Sequence, residues 1–361
     1  MQKSRSIFVG GTAKQVLPTE SNPGVAEQLF RNLVNSGFVL TNNPNSYFFL
    51  SINHDRKAYS RFIKSGGSAK NAILIRREPQ AVHPIQYRRS VEVKYGLVLS
   101  PGATSGIQKR KVPINTPYAI SGNPNSLSFS DLSIKEVLSM PGFQNLFTYN
   151  DWQKRRFFLS LIASNKVSPS KHENYSLRRR IVGSYGKRIE VFGQYWGASL
   201  ASKIALRLRV AVYSLKSGYV PHLKSIYGDL FHNYRHVNEL IDDKSLILRD
   251  SCFSLVIEND STCLTEKLFD AFFSGSIPIY FGPELSQYGI PQSLFFNLNQ
   301  NFEINLQEIQ ELKDFEIQAR LSAIIAFIST ENFFEKWSDE QVFASIAEEI
   351  RNYISANSNL K

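Results

Sequence analysis

The chain has 361 residues, 42% of them hydrophobic and 20% charged, with 26 Phe and 16 Tyr. That length favours two domains, and that composition builds full cores and excludes a disordered or low-complexity protein. No apolar run approaches the ~20 residues of a membrane span, and a formal net charge of +11 raises the question of which anion the protein meets.

The opening residues Met1–Ser6 lead into an apolar run too short for a secretory signal, without a small-residue cleavage site. Only two cysteines are present, Cys252 and Cys263, in no metal-binding spacing. The expected compartment is therefore the cytosol, and the expected state is two buried, reduced thiols.

Taken in order, residues 6–9 read as a strand running into Gly10-Gly11-Thr12, and residues 25–36 have helical spacing with Gly37 as a stop. Residues 47–52 are β-rich, 55–64 helical, 72–75 a strand, and 95–100 a further apolar run ending in Pro101-Gly102. A second series opens with a continuous apolar strand at 157–163. It continues with a helix at 178–185, a strand at 189–192, a helix at 199–215, a strand at 253–257, a helix at 265–274 and a strand at 277–281. Strands alternating with helices mean parallel sheets with helices on their faces, and two such series predict an α/β protein of two Rossmann-like halves, broken between Phe143 and Trp152. Residues 306–357 are helical, with an apolar stripe of Leu321, Ile324, Ile325 and Ile328.

The charge is unevenly placed. From Asp151 to Lys224 there are fifteen Lys or Arg against three Asp or Glu, whereas the last stretch leans acidic. A basic middle of this kind suits nucleic acid, anionic lipid or a phosphorylated ligand, or is a solvated face.

The most informative segment is 253–282. A buried strand ends in Glu258 and Asn259, a short polar loop follows, and a helix opens at Thr265, a good N-cap residue. Leu268, Phe269, Phe272 and Phe273 form the helix's apolar face, and Gly275 stands where helices commonly stop. Ligands of open α/β sheets bind beyond the carboxyl ends of strands, and a helix N-terminus welcomes an anion. Glu266 suits that first turn and can accept from ribose hydroxyls. Lys267 opposes the helix dipole, an oddity that a bound diphosphate removes. The bland alternative is a first-turn Glu beside a solvated Lys.

Three linked blocks, Glu258-Asn259, Thr265-Glu266-Lys267 and Gly275-Ser276-Ile277-Pro278-Ile279-Tyr280-Phe281-Gly282, resemble the signature of the bacterial α-1,3-fucosyltransferases of glycosyltransferase family 10. Upstream, Ser164-Asn165-Lys166, Arg178 and Ile189-Glu190-Val191-Phe192-Gly193 extend it. The resemblance implies a GT-B fold, two Rossmann-like domains facing a cleft with a C-terminal helical segment. Its parts are an acceptor-side domain at 1–150, a nucleotide-sugar donor domain at 151–305, and helices at 306–361 packing back across both. It further implies inverting transfer of fucose from GDP-fucose to a hydroxyl of a glycan acceptor in polysaccharide biosynthesis or protein glycosylation. Within the donor site, Glu266 binds the ribose, Lys267 the diphosphate, Glu258, Asn259 and Thr265 lie against the donor, and Arg178 clamps phosphate, with Arg179 and Arg180 as close competitors. Two features depart from the signature. The loop before Thr265 is about two residues short, and Cys263 replaces a tyrosine of the donor site.

Inverting transfer needs a carboxylate base. Glu78, after the strand at 72–75 and within Glu78-Pro79…Val82-His83-Pro84…Tyr87, is the expected one. The alternatives are a loop carboxylate paired with Arg76 or Arg77, or a base at Asp55 or Asp131. No cofactor and no metal are expected: there is no Asp-x-Asp, and the six histidines, His232 and His236 included, form no metal motif. No nucleic-acid partner is expected, while the basic surface suits peripheral contact with an anionic membrane, without a clear amphipathic anchor. Transfer of another sugar, a non-catalytic sugar-nucleotide binder and a nucleic-acid-binding protein remain the competing readings.

Overall fold

The computed structural model describes residues 5–11, 27–101, 109–111, 134–216, 218–227, 230, 234, 237–238, 244–298 and 306–358. Asp131, His232 and His236 lie outside them, as does the start of the helix expected from residue 25. The chain divides into two compact units, Met1–Asn115 with Asp339–Lys361, and Thr116–Ser338.

The first unit holds six parallel strands: β1 (Ser6–Gly11), β2 (Val39–Thr41), β3 (Phe48–Ile52), β4 (Ala72–Ile75), β5 (Leu97–Ser100) and β6 (Lys109–Lys111), in the order β2-β1-β3-β4-β5-β6. Apolar residues alternate between the faces with period two. Ile7, Val9, Phe48, Leu50, Ile73 and Leu97 face a core closed by helices Glu27–Asn35 and Asp339–Ser358. Phe8, Phe49, Leu74 and Val98 face the other side, under Phe62, Val91 and Tyr95. Both faces are covered, as a parallel sheet requires. The last helix of the chain thus completes the first unit's core, through Val342, Ile346, Ile350 and Ile354.

The second unit holds β7 (Phe157–Ile162), β8 (Glu190–Phe192), β9 (Val237–Asn238), β10 (Ser251–Ile257), β11 (Ile277–Phe281) and β12 (Phe296–Asn297). Their order is β12-β11-β10-β7-β8-β9, every pairing parallel. From the other edge this is the Rossmann order, which reverses between β7 and β10. That point is where such sheets receive ligands.

The α/β reading and its strand series are realised, and the differences have local causes. The helix expected from 178 begins at Tyr175, because Glu173 Oε2 accepts from Ser176 N at 2.9 Å and supplies the missing acceptor. The helical tail is four helices, Leu306–Gln310, Asp314–Ile328, Glu331–Trp337 and Asp339–Ser358. One break falls where Thr330 Oγ1 accepts from Phe333 N at 3.1 Å and caps a new helix. Leu321, Ile324 and Ile328 of the expected stripe are buried. Cys252 and Cys263 are free and buried. No described helix is long and apolar enough to cross a membrane.

Part of the basic middle is internal. Arg155 donates to the carbonyls of Leu146, Ser251 and Gly275 at 2.8, 2.9 and 2.8 Å, tying three segments together. Removing it strands three acceptors at once. Arg155→Met, of similar volume, should lower unfolding stability by about 3 kcal/mol, read as a drop in urea midpoint with unchanged slope. A change below about 0.5 kcal/mol would show that the bonds are surface ornament.

Candidate functional site

At the reversal point of the second sheet, Arg178 projects from helix Tyr175–Tyr185 onto the end of β10. Its Nη2 donates to Ile257 O at 2.5 Å and to Asn259 Oδ1 at 3.0 Å. Asn174, just before the helix, donates its backbone N–H to Asn259 O at 3.0 Å, and a bridge joins Glu173 to Asp260. The arginine is 3% exposed, yet no described carboxylate pairs with it. Its Nε is buried without a partner, and Nη1 bonds no described residue. Its Cζ lies 5.0 Å from the centre of the Tyr175 ring; burial pulls its pKa down, and Tyr175, Glu258, Glu173 and Glu266 act against that. Of its neighbours, Arg179 is buried and donates to Lys166 O at 2.7 Å, whereas Arg180 is exposed.

Glu258 follows β10 and is fully buried. Its Oε1 accepts from Thr265 N at 2.8 Å and its Oε2 from Thr265 Oγ1 at 2.5 Å. Lys267 Nζ donates to Thr265 Oγ1 at 2.8 Å and lies 3.6 Å from Glu258 Oε2 and 3.8 Å from Glu266 Oε1. Thr265 does occupy the N-cap of helix Glu266–Phe273, but its hydroxyl serves Glu258 and Lys267 and makes no capping bond. Burial raises the Glu258 carboxyl, held back chiefly by Lys267 and then by the Thr265 bonds. Gly282 is fixed by this packing, since a Cβ there would meet Glu258 Cγ at 2.7 Å and crowd the Tyr280 hydroxyl.

The structure thus brings Arg178, Glu258, Asn259, Thr265, Glu266 and Lys267 to one end of one sheet. Asn174, which motif reading did not single out, stands with them, as do Asn165 and Tyr280 of the quoted blocks. Asn165 Oδ1, Asn174 Nδ2 and Tyr280 OH are buried without partners beyond the ends of β7, before the helix after it, and in β11. Native proteins leave few such groups; these three stand near the ligand-receiving edge of the second sheet, while others, among them Asn32, His83 and Ser100, lie elsewhere. Cys263 is buried with its thiol 3.5 Å from Leu264 O, and burial, with Glu258 and Asp260, pushes it well above an ordinary thiol. It is inert as a nucleophile.

Glu78 lies in the first unit, beyond β4, and its backbone is clamped. Asn53 Oδ1 accepts from Arg77 N and Glu78 N at 3.1 and 3.0 Å, and from Gln86 Nε2 at 3.3 Å. Glu78 O accepts from Gln86 Nε2 at 2.8 Å and Tyr87 Oη at 3.0 Å. Asn53 holds φ 56°, a left-handed conformation that Asn tolerates. Arg76 is taken by Glu92 at 2.6 Å and by Gln86 O at 2.7 Å, over the Tyr87 ring. The Glu78 carboxylate itself is half-buried and has no partner among the described residues. Asp55 is occupied instead: it caps helix Arg56–Lys64 through Lys57 N and Ala58 N, and accepts from Gly11 N. Among the described residues no group of three or more His, Cys, Asp or Glu gathers as a metal site would.

No protein-family model and no curated protein matches the chain. Among solved structures, Anabaena HepE in complex with UDP-glucose matches with a TM-score of 0.50 at 8% identity, over 97% of this chain and 99% of that one. An α1,3-fucosyltransferase covers 97% of this chain and 90% of its own at 14% identity, TM-score 0.48. A glycosyltransferase from Rickettsia africae covers 98% of each at 9%, TM-score 0.46. Two parallel α/β sheets followed by C-terminal helices make this a GT-B-like fold; identities so low carry the fold alone.

Beside the Glu78 clamp, His54 Nδ1 lies 2.7 Å from Tyr95 Oη and His54 N donates to Gln86 Oε1 at 3.3 Å. Burial first, then Lys94 and His83, lower its pKa from 6.5 to about 4. The native state therefore binds fewer protons than the unfolded chain between those values, so stability is full above pH 6.5 and falls as pH drops toward 4. With the ring partly open to solvent, about 1–2 kcal/mol should be lost. Urea titrations across that range should show the decline in wild type and a flatter profile in His54→Gln; parallel profiles would refute it.

Proposed function

We propose that this chain is an inverting glycosyltransferase that moves a sugar, fucose from GDP-fucose, onto a hydroxyl of a glycan acceptor. The observation that carries this reading is Arg178: a buried cation with unpartnered N–H groups and no carboxylate partner, at the ligand-receiving edge of a Rossmann sheet. A buried charge without a counter-ion costs several kcal/mol, and a nucleoside diphosphate supplies the missing negative charge in the bidentate form that a guanidinium suits. Lys267 stands in the first turn of helix Glu266–Phe273, whose N-terminal dipole favours the same anion.

In this reading the acceptor oxygen attacks the anomeric carbon and its proton passes to Glu78. The bond from that carbon to the diphosphate oxygen breaks, and the electron pair leaves with the nucleotide. Arg178 and Lys267 meet the charge that grows on the leaving group, Glu266 takes the ribose hydroxyls, and Asn259 holds the guanidinium in its plane. Glu258, with Thr265, orients Lys267. Phosphate charge is met by side chains, so the chemistry calls for no metal.

A second donor is favoured by one observation: Cys263 stands where the fucosyltransferase signature has a tyrosine. Calorimetry with GDP, UDP, GDP-fucose and GDP-mannose separates the donors. GDP should bind wild type, and Lys267→Ala should weaken it at least about tenfold; no nucleotide bound, or an unaffected mutant, would overturn the reading. Glu78→Gln should keep donor affinity and lower turnover, read as nucleotide release, by a factor of about 10²–10⁴. Unchanged turnover would move the base elsewhere, and no turnover in wild type would leave a non-catalytic binder.

A further inference from the structure

The side that helix Leu200–Lys216 turns inward is mixed: Lys203, Arg207 and Ser214 are buried, with Leu206 and Val210 half-buried beside them. That side is locked: Arg207 Nε donates to Ile226 O at 2.7 Å, its Nη1 to Lys203 O at 3.2 Å, and Lys203 Nζ sits over the Tyr234 ring. The side it exposes carries Leu200, Ile204, Leu208, Val212 and Leu215, each between 37 and 63% exposed. At 100° per residue these five fall within about a third of the helix circumference, a continuous apolar stripe. Arg209 and Lys216, both exposed, border it. The surface continues past the helix through Val220 and Leu223, 86 and 63% exposed, to exposed Lys224. Scattered exposed apolar residues are ordinary, but a stripe of this length on a helix that buries Lys203 and Arg207 is not.

We propose that this face docks the protein on an anionic lipid bilayer, a role independent of the nucleotide site. A helix lying in a membrane interface presents Leu and Ile to the acyl boundary and Lys or Arg to the headgroups at its margins. Charge selects the occupant. From Val191 to Tyr227 the sequence has no Asp or Glu, and with Lys203 and Arg207 buried its exposed cations are Arg209, Lys216 and Lys224. A twofold contact with a second copy would set this acid-free patch against itself, whereas an anionic leaflet complements it, and apolar contact with a few cations gives the two signals that stable membrane association needs.

The test is co-sedimentation of the full chain with phosphatidylcholine vesicles, with and without phosphatidylglycerol. Wild type should pellet with the anionic vesicles and be released by salt. The exposed-face doubles Ile204→Glu/Leu208→Glu and Arg209→Glu/Lys216→Glu should each partition about tenfold or more weakly, with circular dichroism and GDP binding like those of wild type. Wild type left in the supernatant with both vesicle types would overturn the proposal, as would doubles that pellet like wild type. So would a dimer in sedimentation velocity that the Leu208 double abolishes without any vesicle binding, which would assign the stripe to self-association.

Discussion

The guanidinium of Arg178 is where the architecture of the second unit and its chemistry meet. Through Nη2 it holds the last carbonyl of β10 and the side chain of Asn259, while the segment before its helix is stitched to the same turn by Asn174 N and the Glu173–Asp260 bridge. The crossover after β7 is thereby fastened to β10 at the one place where the sheet's strand order reverses. A neutral side chain of this size would have served the fastening at a lower desolvation cost. A buried cation, kept with no carboxylate against it, is a fastening that also demands an anion. Glu258, Glu173 and Glu266 act on it only at a distance, and in the proposed function a nucleotide phosphate would meet that demand.

The neighbouring arrangement shows the opposite solution. Glu258 is the more deeply buried charge, yet it is surrounded: Thr265 donates twice and Lys267 stands 3.6 Å away. Its raised carboxyl pKa reflects burial that Lys267 and Thr265 only partly offset. Lys267 is consequently held in one place by a shared hydroxyl, at the start of a helix whose dipole opposes a cation. In the first unit the same economy of partners is applied to backbone. Asn53, Gln86 and Tyr87 absorb the polar groups of the turn around Glu78 and leave its carboxylate unengaged. One unit thus holds Arg178 with no carboxylate bonded to it, and the other holds Glu78 with no described partner on its carboxylate.

Sequence legibility followed burial. Strands such as β3, β4, β10 and β11 were readable because parallel strands covered on both faces are continuous apolar runs. The edge strands β2, β6, β9 and β12 were not, being two or three residues held by the ladder and without a pattern of their own. At the site, residues carried by a contiguous block (Glu258-Asn259 and Thr265-Glu266-Lys267) could be placed at a strand end and a helix start. Asn53, Gln86 and Asn174 matter only because the fold folds them toward a distant turn or leaves them unpartnered, and spacing carries no trace of that. Helix Leu200–Lys216 is the sharpest case. Its existence was legible, but periodicity is identical whichever side turns inward, and the structure turns in the side that carries Lys203 and Arg207.

That orientation also bears on what the excess of positive charge is for. A nucleic-acid surface needs its cations outside, where phosphates reach them, and loses affinity steeply with each one withdrawn. Here Arg155, Arg178, Arg179 and Arg207 point into the unit and are bonded to carbonyl oxygens. They act as cross-braces between segments, a use for which the five-donor guanidinium is suited. What remains outside along helix Leu200–Lys216 is a pair of cations beside a run of Leu, Ile and Val. A duplex or single strand gains nothing from that run, whereas a lipid interface does. The +11 of the sequence is therefore not one electrostatic feature. Part is internal bracing, part is the buried Arg178 at the sheet's edge, and part is exposed, Lys154, Arg156, Lys171, Arg180, Lys187 and Arg188 as ordinary solvated charge and Arg209 and Lys216 beside an apolar surface.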